Sequence, residues 1–127
     1  MSSTNSTNYL ELFKTQPTRE QLAAAFDHLE ADVTYIDDHE IVVYFSPFRI
    51  FNRPASILGE SMFDCHSPRS FGAINEMLDA FKAGTKDKVS HSDVDAKNGR
   101  KVQVCYQAMR NPEGTYLGCL EAVTYRD

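Results

Sequence analysis

Cys65 and His66 stand side by side, immediately ahead of a Ser67-Pro68 pair that reads as the entry to a helix. A histidine at a helix N-terminus meets the positive end of the helix dipole, which disfavours the imidazolium form. A neutral imidazole at such a place can ligate haem iron or another metal. The plainer reading is a ring that supports the backbone where the helix begins. Cys65 shares this position, where a thiol pKa can fall and the group become redox-reactive; a small buried residue filling space is the reading preferred here. Cys65, His66, His91, Cys105 and Cys119 have no zinc-ligand spacing, and no Cys-x-x-Cys pair occurs. His28 and His39 read as surface residues. Tyr35, Tyr44 and Tyr106 could offer hydroxyls to a ligand or simply pack. Arg49 and Arg53 could hold a carboxylate or phosphate, though solvated loop arginines are commoner. Asp93, Asp95 and Glu121 offer carboxylates without a nucleophile–base–orienter set, so catalysis is not expected.

These side chains must be placed by a helix and a sheet. Residues 67–84 read as one helix, with Ser67 as cap, Pro68 in the first turn and Gly84 as a left-handed stop. Phe71, Ile74, Met77, Leu78 and Phe81 recur at helical spacing and form an apolar stripe that must cover something. Two strands precede it, 33–36 and 41–45, joined by Asp37-Asp38-His39-Glu40 as a hairpin. A strongly apolar irregular segment follows, with Phe48, Ile50 and Phe51, then a short helix from Pro54 to about Leu58, stopped by Gly59. Three strands come after Gly84, at 88–96, 101–110 and 115–125. Asn98-Gly99 is a two-residue hairpin signal, and Asn111-Pro112-Glu113-Gly114 reads as a type I turn closed by a left-handed glycine.

That second turn should pair Arg110 with Tyr116 and hence Tyr106 with Leu120. Val102, Val104, Tyr106 and Ala108 then share the helix-facing side with Gly118, Leu120 and Ala122, while Cys105, Cys119 and Glu121 face the back. A slip of one residue would exchange the faces. Near the N-terminus, Thr18-Arg19-Glu20-Gln21 matches a capping box for a helix to about Glu30 carrying Leu22, Phe26 and Leu29. Residues 9–14 suggest a shorter amphipathic helix, and residues 1–8 a polar, disordered tail.

Composition narrows the function classes. The 127 residues suit one domain with a real core, and 42% hydrophobic content fits a globular chain. Thirteen Lys and Arg against eighteen Asp and Glu give a net charge of -5, which disfavours general nucleic-acid binding. No apolar run approaches the ~20 residues of a membrane span, and the first residues lack a signal-peptide pattern. Cytoplasmic location is the expectation, with three cysteines as thiols.

The order is two strands, short helices, one longer helix, three strands. Together with Tyr35-Ile36-Asp37, Val43-Tyr44-Phe45-Ser46, Cys65-His66-Ser67-Pro68 and Tyr116-Leu117-Gly118-Cys119-Leu120-Glu121, it resembles a PAS domain. The resemblance spans about residues 32–125. It is narrower toward the subgroup found beside hemerythrin-like helical domains in bacteria and archaea, whose members show Cys-His-Pro-Pro before the long helix. Here Ser67 replaces the first proline. The resemblance implies an α+β fold with a five-stranded antiparallel sheet in order 2-1-5-4-3, helices over one face, and N-terminal helices outside. It implies a sensor that holds a small ligand or cofactor between helix and sheet and signals by protein contact, not an enzyme. Residues 1–31 would be a tail and amphipathic helices for homodimer contact or for a separate signalling partner, and 32–127 the PAS domain.

The expected pocket is lined by His66, Cys65, Phe48, Phe51, Leu58, Phe71, Ile74, Met77, Leu78, Val104, Tyr106 and Leu120. His66 would gate it or act as the haem or metal ligand. Haem-binding PAS domains usually place that ligand within the long helix, which here contains no histidine. The cofactor is otherwise unknown, and the stretch around Cys65 does not match a flavin photosensor. Nucleic acid and membrane are not expected partners. A ligand-free interaction module and a small α+β enzyme are the alternatives.

Overall fold

The computed structural model describes residues 9–96 and 98–126, so the expected disorder of residues 1–8 lies outside the described residues. Five strands, β1 (Asp32–Asp37), β2 (Val42–Phe45), β3 (Lys88–Asp95), β4 (Lys101–Arg110) and β5 (Tyr116–Tyr125), form one antiparallel sheet in the order β2-β1-β5-β4-β3. This is the PAS order. The chain leaves the sheet at one edge after β2 and re-enters at the opposite edge with β3. The connection must therefore cross one face of the sheet, and it carries the longest helix with it. That helix, α2 (Phe71–Ala83), buries Ile74, Met77, Leu78 and Phe81, while Phe71 is only half-buried.

The entry to α2 differs from expectation. Pro68–Ser70 forms a separate 3-10 turn, and the Ser67 side chain makes no capping hydrogen bond. The other end is as expected: Gly84 adopts φ 80°, a left-handed C-cap. The short helix expected after Pro54 is a 3-10 turn, Ala55–Ile57, and a second 3-10 turn, Met62–Cys65, leads into His66. Such turns suit a path that changes direction every few residues.

The register of β4 with β5 begins as the turn chemistry requires. Gly114 at φ 89° donates to the Asn111 carbonyl, and Arg110 pairs with Tyr116. One step later the pairing shifts: Met109 lies opposite Gly118, so Leu117 is an extra residue, a β-bulge. Tyr106 consequently pairs with Glu121, not Leu120. The β4 face is as expected, but every β5 side chain turns over. Cys119, Glu121 and Val123 are buried, whereas Leu120 and Ala122 share the outer face. The assignments of Leu120 to the helix side, and of Cys119 and Glu121 to the back, are thereby corrected.

Two apolar clusters hold the layers together. The first joins Ile36, Val42, Met62, Ile74, Met77, Leu78, Phe81 and Cys119; the second joins Ala96, Val102, Val104 and Val123, with Ile50 and Phe51 from the irregular segment packed on it. Tyr106 touches both. The irregular segment is also tied down electrostatically. Arg49 Nη1 lies 2.8 Å from Asp32 Oδ1, both side chains being buried, and Asp32 Oδ2 accepts the Ile50 and Phe51 amides at 2.8 and 3.0 Å. Arg49, read as a candidate for an external anion, is thus committed to an internal one.

The N-terminal segment sits differently. Helix α1 (Arg19–Asp27) has its capping box, with Thr18 and Gln21 bonded reciprocally at 2.8 and 3.0 Å, but stops short of Glu30 and buries none of its residues. Tyr9–Leu12 is a 3-10 turn. Its contacts with the body include Phe26 against Tyr44, ring centres 5.8 Å apart, and the Tyr9 hydroxyl donating to the Arg110 carbonyl at 2.9 Å. Among the described residues no helix is long and apolar enough to cross a membrane.

Candidate functional site

An open cleft of about 540 Å³ lies between α2 and the β3–β4 side of the sheet. Ala73, Ile74 and Met77 come from α2 and Val89 from β3, giving it apolar walls. His66, Arg69 and Ser70 enter from the turn before α2, and Lys86 from the turn after it. Val89 and His91 alternate along β3 and so point to the same side, toward Tyr106 of β4. The His91 and Tyr106 rings meet edge to face at 6.3 Å between centres.

Four of the twelve expected pocket residues meet here: His66, Ile74, Met77 and Tyr106. The others are placed elsewhere, for separable reasons. Leu78 packs into the first cluster, with Cys65 against it, and Val104 and Phe51 belong to the second. Phe71 stacks edge-on against Phe63 at 5.1 Å. Phe48, in the irregular stretch, and Leu58, just past the Ala55–Ile57 turn, are exposed. Leu120 is on the outer face through the bulge. Arg69, Ser70, Ala73, Glu76, Lys86, Val89 and His91 were not anticipated. Val89 and His91 were legible in principle, since strand alternation beside a helix-facing β4 fixes which β3 residues look inward.

Burial is the leading influence on the site's titratable groups. It pushes the His66 imidazole below its ordinary value, with Arg53 acting in the same sense and Glu121 opposing. The ring is therefore neutral at pH 7, as a metal-ligating imidazole must be. Cys65 is pushed up, chiefly by burial, which keeps it a thiol and removes the basis for a reactive thiolate. Cys119 rises to about 12, again through burial first and Glu121 next. Tyr106 is raised strongly by burial and by Glu121, to whose carboxylate its hydroxyl donates a hydrogen bond. Glu121 is 9% exposed, an acidic side chain taken into the helix–sheet gap by the bulge.

Two measurements follow. Tyr106→Phe removes a donor from a buried carboxylate and should cost about 1–3 kcal/mol in urea unfolding. An unchanged midpoint would show that water replaces the hydroxyl. For His66, a folded-state pKa below the unfolded value of about 6.5 means that the unfolded chain takes up the proton first. The stability linked to neutral His66 is present above that pH and falls away as pH drops through it toward the folded-state value. Thermal unfolding at stepped pH should show this loss, reduced in His66→Gln. An NMR titration placing the ring at or above 6.5 would contradict it.

Among the described residues no group of three or more His, Cys, Asp or Glu side chains could hold a metal ion. A haem iron asks less of the protein, an axial imidazole and apolar walls, and neutral His66 at the cleft meets the first requirement.

A single helix laid across one face of a five-stranded antiparallel sheet in this order, with a gap open at one side, is the architecture of a PAS fold. The chain belongs to the PAS domain family, whose model matches residues 22–125. PAS domains are typical of sensory signalling modules, including those of histidine kinases, and are generally not catalytic. A crystal structure of a C-terminal domain from Streptococcus mutans is similar at 24% identity and TM-score 0.79, over 89% of this chain and 88% of that one. The PAS domain of Bordetella pertussis BvgS follows at 13% identity and TM-score 0.63, over 85% of each chain. A sensory box sensor histidine kinase from Vibrio cholerae is similar at 13% identity and TM-score 0.55, over 84% of this chain and 90% of that one. At these identities the likeness is one of fold. No curated protein matches the chain.

Proposed function

We propose that this chain is a cytoplasmic sensory PAS module that binds a small molecule in the cleft between α2 and the β3–β4 side and passes the change on by protein contact. One observation carries the reading. The cleft is bounded by a half-buried imidazole kept neutral, a tyrosine anchored to a buried carboxylate, and an apolar helix face, the mixture of greasy walls and a few fixed polar groups that small-molecule sites use. The Cys65-His66-Ser67-Pro68 entry and the Leu117-Gly118-Cys119-Leu120-Glu121 strand support placing it in the subgroup found beside hemerythrin-like domains.

The test is native mass spectrometry of the purified protein with an absorption spectrum. A bound mass lost in Ala73→Phe, which narrows the cleft, is the expected result. A Soret band that vanishes in His66→Ala would make haem the ligand, held by His66; bound mass without such a band points to an organic ligand. Protein that carries nothing, and takes up nothing from a broad small-molecule panel, would contradict the reading.

The second reading, an interaction module, has its own support. Leu12 is 72% exposed and Leu29 63%, with Tyr9, Leu10, Phe13, Leu22 and Phe26 also exposed nearby in sequence. Residues 1–31 would be the contact segment of a homodimer or of a separate signalling partner, and 32–127 the sensor body. Removing residues 1–30 and measuring mass in solution tests it: a dimer should fall to monomer, and a dimer that persists would exclude the segment as the interface.

A further inference from the structure

The polar rim of the cleft is rich in hydrogen-bond donors. Arg69 and Lys86 contribute two cations, Ser70 a hydroxyl, and His66 and His91 a ring N–H each; Glu76 is the one carboxylate on the lining. Counting side chains that are charged with neutral imidazoles gives two cations less one anion, a lining charge of +1, on a chain whose net charge is -5. Among the described residues neither Arg69 nor Lys86 has an ion-pair partner, whereas Arg49, Lys82 and Arg110 are each paired to a carboxylate within the fold. Chain connectivity sets Arg69 and Ser70 at the start of α2 and Lys86 just past its end, with Ala73, Ile74 and Met77 between them and Val89 on the facing strand. An occupant therefore meets an apolar middle and cationic ends.

We infer that the cleft takes a small amphipathic carboxylate, an aliphatic or aromatic acid whose body lies on Ile74, Met77 and Val89 while its carboxylate is held at the Arg69 end. This rests on the proposed function and specifies it. A carboxylate accepts from guanidinium, hydroxyl and imidazole N–H together, and Arg69 can grip it with two parallel bonds. Arg69 is the cation chosen because His66 and Ser70 bring their donors to it from the same stretch before α2, whereas Lys86 stands alone past the helix end. The body gains by leaving water for the helix face. A neutral ligand of equal shape would keep the apolar contacts and lose the rest.

The probe is octanoate against octanamide, with binding to the full chain followed through the amide NMR signals of Ser70, Ala73, Met77 and Val89. Octanoate should bind at least about tenfold more tightly than the amide. Added salt should weaken the acid and leave the amide unchanged. Arg69→Gln, at an exposed position outside both apolar clusters, should remove most of that preference, while Arg69→Lys should retain part of it. Ala73→Phe should weaken both ligands. Equal binding of acid and amide at these signals would overturn the carboxylate assignment and leave the cleft as a ligand site. Binding of neither, in protein that carries another ligand by native mass spectrometry, would overturn the assignment alone. Binding of neither, in protein that carries none and accepts none, would overturn the assignment and the sensory reading together.

Discussion

Replacing Asp32 by alanine should cost about 3–5 kcal/mol of folding stability, because it leaves a buried guanidinium without its counter-charge. Asp32 is 1% exposed. Besides Arg49 it satisfies two backbone amides, those of Ile50 and Phe51, in a segment with no strand or helix to absorb them. Arg49 in turn donates to the Phe51 carbonyl at 3.0 Å, to Thr34 Oγ1 at 3.2 Å and to the Val33 carbonyl at 3.3 Å. Burial lowers the Arg49 pKa and Asp32 opposes that, so in the variant the cation loses the group that stabilises it. Urea unfolding measures the loss. The double variant Asp32→Ala with Arg49→Met should recover part of it, since the stranded charge is then absent. A single-variant loss below about 1 kcal/mol would mean that water reaches the pair, as in surface ion pairs.

Gly118→Ala should cost about 3 kcal/mol or more, through two causes acting together. Gly118 has φ 135°, a conformation closed to side-chain-bearing residues, and an added Cβ would lie 2.3 Å from the Ile36 carbonyl oxygen. Both the oxygen and the Asp37 backbone beside it belong to β1, so no side chain can swing away. Gly114 is the control. Its φ is 89° but nothing lies within 4 Å of its added Cβ, so alanine there should cost about 1–2 kcal/mol, from conformation alone. The larger effect has a functional side. The bulge that needs Gly118 is what turns Glu121 toward Tyr106. A chain that relieves the clash by removing the bulge would return β5 to regular pairing, with Leu120 inward and Glu121 out. Gly118→Ala should therefore also shift the Tyr106 ring resonances and raise the His66 signals' sensitivity to solvent. Equal losses in the two glycine variants would refute the close approach to β1.

The same bulge marks where the sequence ceased to be readable. Turn residues announced Gly114 and the Arg110–Tyr116 pair, because their conformations are local. Whether a strand keeps step beyond a turn depends on a neighbouring strand far away in sequence, here β1 against Gly118, and alternation around Leu117-Gly118-Cys119 fits either face. Strand order and the stripe of α2 were legible because a motif series and a 3.6-residue period both survive without knowledge of packing. Helix α1 shows the opposite case: the capping box at Thr18 was plain, yet its apolar residues are exposed, since a hydrophobic face says that burial is sought, not where. For the site, His66 and Tyr106 could be named from chemistry, and Ile74 and Met77 from periodicity. Arg69 and Lys86 could not, because they meet only once α2 lies beside β3, whereas the inward side of His91 followed from strand alternation.

The function proposed for this chain depends on a small molecule occupying the gap beside α2. An amide NMR map of the full chain, titrated with the ligand recovered from the purified protein or with octanoate, tests it most directly. Shifts at Ser70, Ala73, Met77, Val89 and Tyr106 should saturate together and disappear in Ala73→Phe. Shifts centred instead on Leu12, Leu22 and Phe26, unaffected by Ala73→Phe, would contradict it.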